Sequence, residues 1–222
     1  MAERVADLIE ARLGRSLAER GTASLAVSGG STPAGLYRAL SERPLDWSGI
    51  WAVPVDERWV PPGTTGSNET LIRSTLLRNR AANATFIGLW TRAASPADGL
   101  EEAERRLSVL HDPFDVVVLG MGTDGHTASW FPHCDGLERA LSETGPRLAA
   151  IKAKPSGVTG DYLDRMTLTL GEIRKAKVIV LLTAGAEKRG ALERISGAGS
   201  VQDMPVRAIL GARPDLWVCW AP

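Results

Sequence analysis

An aspartate two residues ahead of a histidine, both held in a glycine-bounded turn, is the pair in this chain best placed for proton transfer. It lies within Asp115–Pro132, D-V-V-V-L-G-M-G-T-D-G-H-T-A-S-W-F-P. Val116 to Leu119 form an apolar run between Asp115 and Gly120, the pattern of a short strand buried on both faces. Gly120, Gly122 and Gly125 then let the backbone turn sharply and present Asp124 and His126 at the strand's carboxyl end. Ligands sit at that end in open α/β sheets. A carboxylate beside an imidazole supplies an orienting group and a general base together.

Three further stretches carry groups suited to an anion. Ser28-Gly29-Gly30-Ser31-Thr32-Pro33 follows a short apolar run and precedes a helical one. A glycine turn at a helix start offers free N–H groups and a favourable dipole to a phosphate, and the hydroxyls add donors. Taken alone, the stretch also fits a plain helix cap. Asp56-Glu57-Arg58 stands at the end of another apolar run. Asp56 can orient a group or exchange a proton, and Arg58 can grip a phosphate with its forked donors, although a surface ion pair is the alternative. Lys188 repeats the logic after Thr183-Ala-Gly-Ala-Glu, where an ordinary solvated lysine is the competing reading.

Two other chemistries are weighed against these. Gly120-Met-Gly-Thr-Asp-Gly125 matches the G-x-G-x-x-G of dinucleotide sites. That motif needs a following helix and an acidic residue about twenty positions on, and Trp130-Phe-Pro-His-Cys134 interrupts any such helix. Asp124, His126, His133 and Cys134 fit none of the usual zinc spacings. The 26 basic residues equal the 26 acidic ones, so no bulk field recruits nucleic acid or an anionic membrane, and any anion must be bound locally. Two distant cysteines suit a reducing compartment. The charged N-terminal stretch is neither a signal peptide nor a span, which points to a soluble cytoplasmic protein.

The elements that must hold these groups alternate. Helices are expected over 2–20, 34–40, 69–77 with Asn68 as cap, 96–110, and from Lys188 to about 196. Strands are expected over 24–27, 51–55, 84–89, 116–119, 148–153, 165–170, 177–182 and 216–220. With 222 residues, 44% of them hydrophobic, the chain suits one α/β domain over 1–222 with a mainly parallel sheet and helices on both faces.

S-G-G-S-T-P at 28–33, V-D-E-R-W-V-P at 55–61 and G-M-G-T-D-G-H-T-A-S-W-F-P at 120–132 together resemble the glucosamine-6-phosphate isomerase/6-phosphogluconolactonase family, on its lactonase side. R-M-T-L-T at 165–169 and the Gly-Ala-x-Lys element ending at Lys188 agree in order and spacing. The resemblance implies a Rossmann-like three-layer sandwich, related to glucosamine-6-phosphate deaminases and ribose-5-phosphate isomerases, without a nucleotide cofactor; no metal is expected either. It implies hydrolysis of 6-phospho-D-glucono-1,5-lactone in the oxidative pentose phosphate pathway, with His126 as general acid/base. Asp124 would support His126, and Asp56 would position hydroxyls or water. N–H groups of the 120–125 turn would face the oxyanion. Arg58, Arg165 and Lys188 would bind the phosphate beside Ser28, Gly29, Gly30, Ser31 and Thr32. The expected partner is a small sugar-phosphate lactone, with neither nucleic acid nor membrane, on a monomer or weak homodimer.

Deaminases of the family usually place a Glu before the closing proline, where this chain has Phe131, and a phenylalanine relays no proton. A sugar-phosphate-sensing regulator would need a DNA-binding segment, which the chain does not offer. The C-terminus departs from the lactonase pattern: Trp217-Val-Cys-Trp-Ala-Pro222 lacks the usual acidic residue.

Overall fold

A computed structural model describes residues 1–222. Six strands, β1 (Ala23–Val27), β2 (Ile50–Pro54), β4 (Thr85–Phe86), β5 (Val116–Gly120), β8 (Val178–Ala184) and β9 (Trp217–Ala221), form one sheet in the order β4-β2-β1-β5-β8-β9. Every pair in it is parallel. Side chains alternate between faces. Leu25, Val27, Val116, Val118, Val180 and Leu182 enter one core with Val5, Ile9 and Leu13 of helix α1 (Ala2–Arg20) and Leu36, Tyr37 and Leu40 of α2 (Ala34–Ser41). Ala26, Val53, Val117, Leu119, Ile179 and Leu181 face the other core, with Ala103 and Leu107 of α4 (Pro96–Leu107) and Val206 and Ile209 of α8 (Val206–Ala212). The result is the expected three-layer α/β sandwich. No helix is long and apolar enough to cross a membrane.

The second layer differs from expectation. The expected strands at 148–153 and 165–170 are β6 (Leu148–Lys152) and β7 (Asp164–Leu168), and they pair antiparallel, apart from the main sheet. A third strand, β3 (Asp56–Arg58), completes that small sheet in the order β3-β7-β6. Asp56 and Arg58 therefore sit in a strand rather than a loop. The strand expected at 84–89 shrinks to Thr85–Phe86 because the next ladder bond would come from residue 54, a proline without an N–H. Helix α3 (Asn68–Thr75) is capped by Ser67, whose Oγ accepts from Thr70 N at 3.2 Å, so Asn68 is not the cap.

Asp115 fixes the start of β5. Its carboxylate accepts from Ser16 Oγ at 2.6 Å, Arg20 Nη2 at 2.8 Å, Ser24 N at 3.0 Å and Lys177 Nζ at 2.9 Å. Burial pushes this carboxyl up, but the bonds from Ser16, Lys177 and Arg20 outweigh it and hold it below the usual carboxylate range. One side chain thus ties α1, β1, β5 and β8 together at the end of the sheet away from the carboxyl termini.

Candidate active site

Parallel pairing brings all the strand carboxyl ends to one edge. From β1 the chain moves outward to β2 and β4, whereas β5 leads the other way to β8 and β9, so the β1/β5 boundary is the switch point where a crevice opens. A cleft of about 300 Å³ lies there. Every site residue expected from the sequence lines it except Asp124, which stands behind His126.

At one end is the His126–Asp124 pair. His126 Nδ1 meets Asp124 Oδ1 at 2.6 Å, and the same oxygen accepts from the His126 backbone N at 3.1 Å. A carboxylate accepts, so the proton belongs on Nδ1 and Nε2 is left with its lone pair and no bond within the chain. Burial pushes the Asp124 carboxyl up; the hydrogen bonds and charge of His126 more than reverse this, and the group lies below its ordinary value. The imidazole also rests against Phe131, ring centroids 4.5 Å apart. The turn is shaped around this pair. Gly122 N donates to His126 O at 3.0 Å and Gly125 N to Gly122 O at 3.1 Å. Gly125 has φ +79°, a conformation glycine adopts without strain. These two N–H groups are consumed by the turn. The N–H groups of Met121 and Thr123, which line the cleft, have no partner in the chain.

At the other end, the N–H groups of Gly29, Gly30, Ser31 and Thr32 donate to nothing in the chain. They lie just ahead of α2, where the helix dipole favours negative charge. Lys188 Nζ reaches Thr32 Oγ1 at 3.2 Å, and burial pushes its pKa down. A partly desolvated ammonium beside four free amides is an arrangement suited to an anion.

Between the two ends the arginines are more committed than their sequence context suggested. Arg58 Nη1 donates to the Gly66 carbonyl at 2.5 Å, while its Nε is buried without a partner. Arg165, 3% exposed, donates to the carbonyls of Tyr162 at 2.6 Å and Thr159 at 3.1 Å and lies 4.0 Å from Asp56. Burial pushes it down to about 10. Its guanidinium also covers the Phe131 ring. Asp56 is likewise held: Oδ2 accepts from Ser129 Oγ at 2.6 Å and Oδ1 from Asn68 Nδ2 at 3.2 Å.

Sequence reasoning missed Asn68 and Ser129 as parts of the site, and missed that Phe131, singled out there only as the place of a deaminase glutamate, packs on the His126 ring. Asn68 Nδ2 also donates to the Asp56 carbonyl at 2.8 Å, and its Oδ1 lies where a Cβ on Gly29 would stand, 2.0 Å away. The bare Cα of Gly29 is what lets the cradle approach α3. Ser129 reaches Asp56 because Ala128 takes φ +48°, unusual for a residue with a side chain. Only the hydroxyl beside the histidine motif could have hinted at this. Trp59 and Trp130 pack rather than line the cleft: their Nε1 groups donate to Ala93 O at 3.1 Å and Leu168 O at 2.9 Å. The alternatives fare poorly. No helix begins at Gly125; the next, α5, is the four-residue Leu137–Ala140. No three His, Cys, Asp or Glu side chains are gathered as a metal would require, and His133 pairs with Asp203 at 2.9 Å.

Residues 1–220 match the family described as glucosamine-6-phosphate isomerases/6-phosphogluconolactonase. The chain belongs to this family. Within it, the chain is 44% identical to a 6-phosphogluconolactonase of Rhizobium meliloti (strain 1021), with 100% of this chain aligned to 94% of that protein. The crystal structure of a 6-phosphogluconolactonase from Shewanella baltica OS155 superposes with a TM-score of 0.92 at 39% identity, covering 100% of this chain and 93% of that one. A monomeric glucosamine-6-phosphate deaminase, 19% identical, shares the fold with a TM-score of 0.79 over 99% of this chain and 92% of its own. Both branches of the family thus share the sandwich, and the side chains in the cleft must distinguish them.

Proposed function

We propose that this chain hydrolyses 6-phospho-D-glucono-1,5-lactone to 6-phospho-D-gluconate, with His126 as the acid/base. The observation that carries the reading is the His126–Asp124 contact at 2.6 Å, which leaves Nε2 free on the wall of a cleft whose far end is an anion cradle. The named relatives, lactonases at 39–44% identity over the whole chain, support the same substrate.

In this mechanism the C6 phosphate is held by Lys188 and the amides of Gly29 to Thr32, which places the lactone ring toward His126. A water attacks C1 and gives its proton to Nε2, while Asp124 steadies the resulting imidazolium. Carbonyl electrons move onto the exocyclic oxygen, where the free N–H groups of Met121 and Thr123 are the nearest unspent backbone donors of the turn. When the tetrahedral intermediate collapses, the C1–O5 bond breaks and Nε2 returns the proton to O5. Net change is addition of one water, and the new carboxylic acid ionises. Asp56, tied to Ser129 and Asn68 and facing Arg165, is a positioning group rather than a proton carrier. Phe131 stands where deaminases of the family usually carry a glutamate, so the ring-opening relay of the sister reaction lacks its acid.

The test is hydrolysis of freshly made lactone above its spontaneous rate. His126→Ala should lower kcat by about 10²–10⁴-fold. Lys188→Ala should lower kcat/KM for the phosphorylated lactone. Ammonia release from glucosamine 6-phosphate without lactone hydrolysis would refute the assignment.

A further inference from the structure

Helix α7 (Ala186–Ile195) touches both ends of the cleft, and nothing in the mechanism above uses its second contact. Lys188, in its first turn, reaches the anion cradle through Thr32. Arg194, in its last turn, donates from Nη2 to the carbonyl of Thr123 at 2.8 Å. Thr123 is the residue before Asp124, so that carbonyl belongs to the peptide unit that leads into the Asp124–His126 turn. The six-residue step from Lys188 to Arg194 spans about 9 Å along a helix.

The way α7 is mounted makes this linkage mechanical. Its start is hinged at Gly185, at φ 90° and ψ 160°, a conformation restricted to glycine. That glycine is pinned to the last strand, its N donating to Ala221 O at 2.9 Å and its O accepting from Trp220 Nε1 at 3.0 Å. At the far end Arg207 Nη2 donates to Arg194 O at 2.8 Å. Between the ends only Ala191 is fully buried. A segment with so few buried contacts lies at the low-stability end of a fold. Lys188, half-buried and with one hydroxyl for a partner, becomes fully compensated only when an anion enters the cradle.

We propose that Arg194 is a positioning residue through which phosphate binding at Lys188 seats α7 and, with it, the turn that carries Asp124 and His126. Binding energy from the non-reacting end of the substrate is then used at the reacting end. The other grip on the turn, Val206 N to Gly125 O at 2.9 Å with Met204 against Gly125, comes from α8 and the segment before it, which meets α7 through Arg207 at the Arg194 carbonyl. The inference rests on the proposed lactone hydrolysis.

The experiment divides the substrate. D-glucono-1,5-lactone supplies the ring and phosphite dianion supplies the anion, and the rate above spontaneous hydrolysis is followed with and without phosphite. In the native protein phosphite should raise kcat/KM for the bare lactone saturably, by about tenfold or more, as for other uses of remote binding energy. Lys188→Ala should abolish the activation. Arg194→Ala should cut it to about threefold or less, and Arg194→Lys should recover part of it, since an ammonium can still donate to the Thr123 carbonyl. A role limited to fold stability would lower the rates with and without phosphite by one common factor, and that result overturns the proposal. So does absence of phosphite activation in a protein that hydrolyses the phosphorylated lactone well. If the phosphorylated lactone itself is not hydrolysed, the functional reading fails and takes this inference with it.

Discussion

Gly122→Ala tests the geometry of the proton-transfer pair with a single methyl group. Gly122 does not have a positive φ, so alanine is allowed by the backbone, and its N–H to His126 O bond survives the substitution. The new Cβ, however, would stand 2.1 Å from His126 Nδ1, 2.3 Å from Cε1 and 2.5 Å from Asp124 Oδ1. Cβ atoms do not approach other heavy atoms within 3.0 Å, so the imidazole must retreat by about 1 Å and part from its carboxylate. Misplacing a reacting group by about 1 Å costs on the order of 10²-fold in rate, so kcat should fall by about that factor. Overpacking of this kind costs about 1–3 kcal/mol of stability, too little to unfold a typical domain. Gly120→Ala is the control: two residues away at the same strand end, its Cβ meets only Ser28 Oγ at 3.7 Å, an ordinary contact. Initial rates of acid release, corrected for spontaneous hydrolysis, together with thermal melts and calorimetric binding of 6-phosphogluconate, separate chemistry from folding and from the cradle. A folded Gly122→Ala protein with kcat within about threefold of Gly120→Ala would refute the claim that a fixed His126–Asp124 contact drives turnover.

Two buried carboxylates give opposite pH signatures. Glu57 accepts from Arg58 N at 2.8 Å, Asn68 N at 2.7 Å and Glu69 N at 2.7 Å, yet burial pushes it up to about 7 against the pull of those amides. A raised folded value means its stabilising contribution is complete below about pH 4, the unfolded value, and is lost as pH rises through 7. Glu57→Gln should flatten the urea midpoint over that window and cost about 1–3 kcal/mol by facing an amide NH₂ toward backbone donors. Asp115 is the reverse case, lowered in the fold. Its contribution is complete above about pH 4 and is lost as pH falls through its folded value. Asp115→Asn should blunt that acid limb and cost about 3 kcal/mol at neutral pH, the low end for a broken buried pair because Arg20 and Lys177 still reach water. Its kcat should not change, since Asp115 lies at the amino end of β5, away from the cleft.

Most parts of the site that were legible in the sequence lie just beyond the end of a main-sheet strand; Arg165, within β7, was legible only through the family resemblance. Ser28 to Thr32 follow β1, Gly120 to His126 follow β5, and Lys188 follows β8, so a parallel sheet alone brings them to one edge. Local pattern sufficed because the residue types were out of place for ordinary strand ends. Asn68 and Ser129 were not legible because their roles depend on pairings that no local sequence pattern covers. Ser129 and Asp56 are 73 positions apart, and what joins them is the left-handed Ala128, a conformation no propensity assigns to alanine. The small second sheet escaped for the same reason: β3 is three residues long, all charged, and carries no apolar alternation to announce a strand.

That short strand also shows why a charged run became a structural centre instead of a solvated loop. Its three consecutive charges are divided by the pleat. Asp56 faces the cleft, where Ser129, Asn68 and Arg165 hold it. Glu57, fully buried on the opposite face, supplies the acceptors that the first N–H groups of α3 would otherwise lack. Arg58 returns to the cleft and closes on the Gly66 carbonyl just before that same helix. The helix is thereby fixed from both faces of β3, and Asn68 at its first position is fixed with it. Since Asn68 holds Asp56 and backs onto Gly29, the strand, the helix and the anion cradle form one rigid unit. By contrast, Lys188 approaches the cradle from a helix with one buried side chain. A phosphate bound as proposed would lie between a preorganised wall and a loosely mounted one, and movement on its binding is expected of α7.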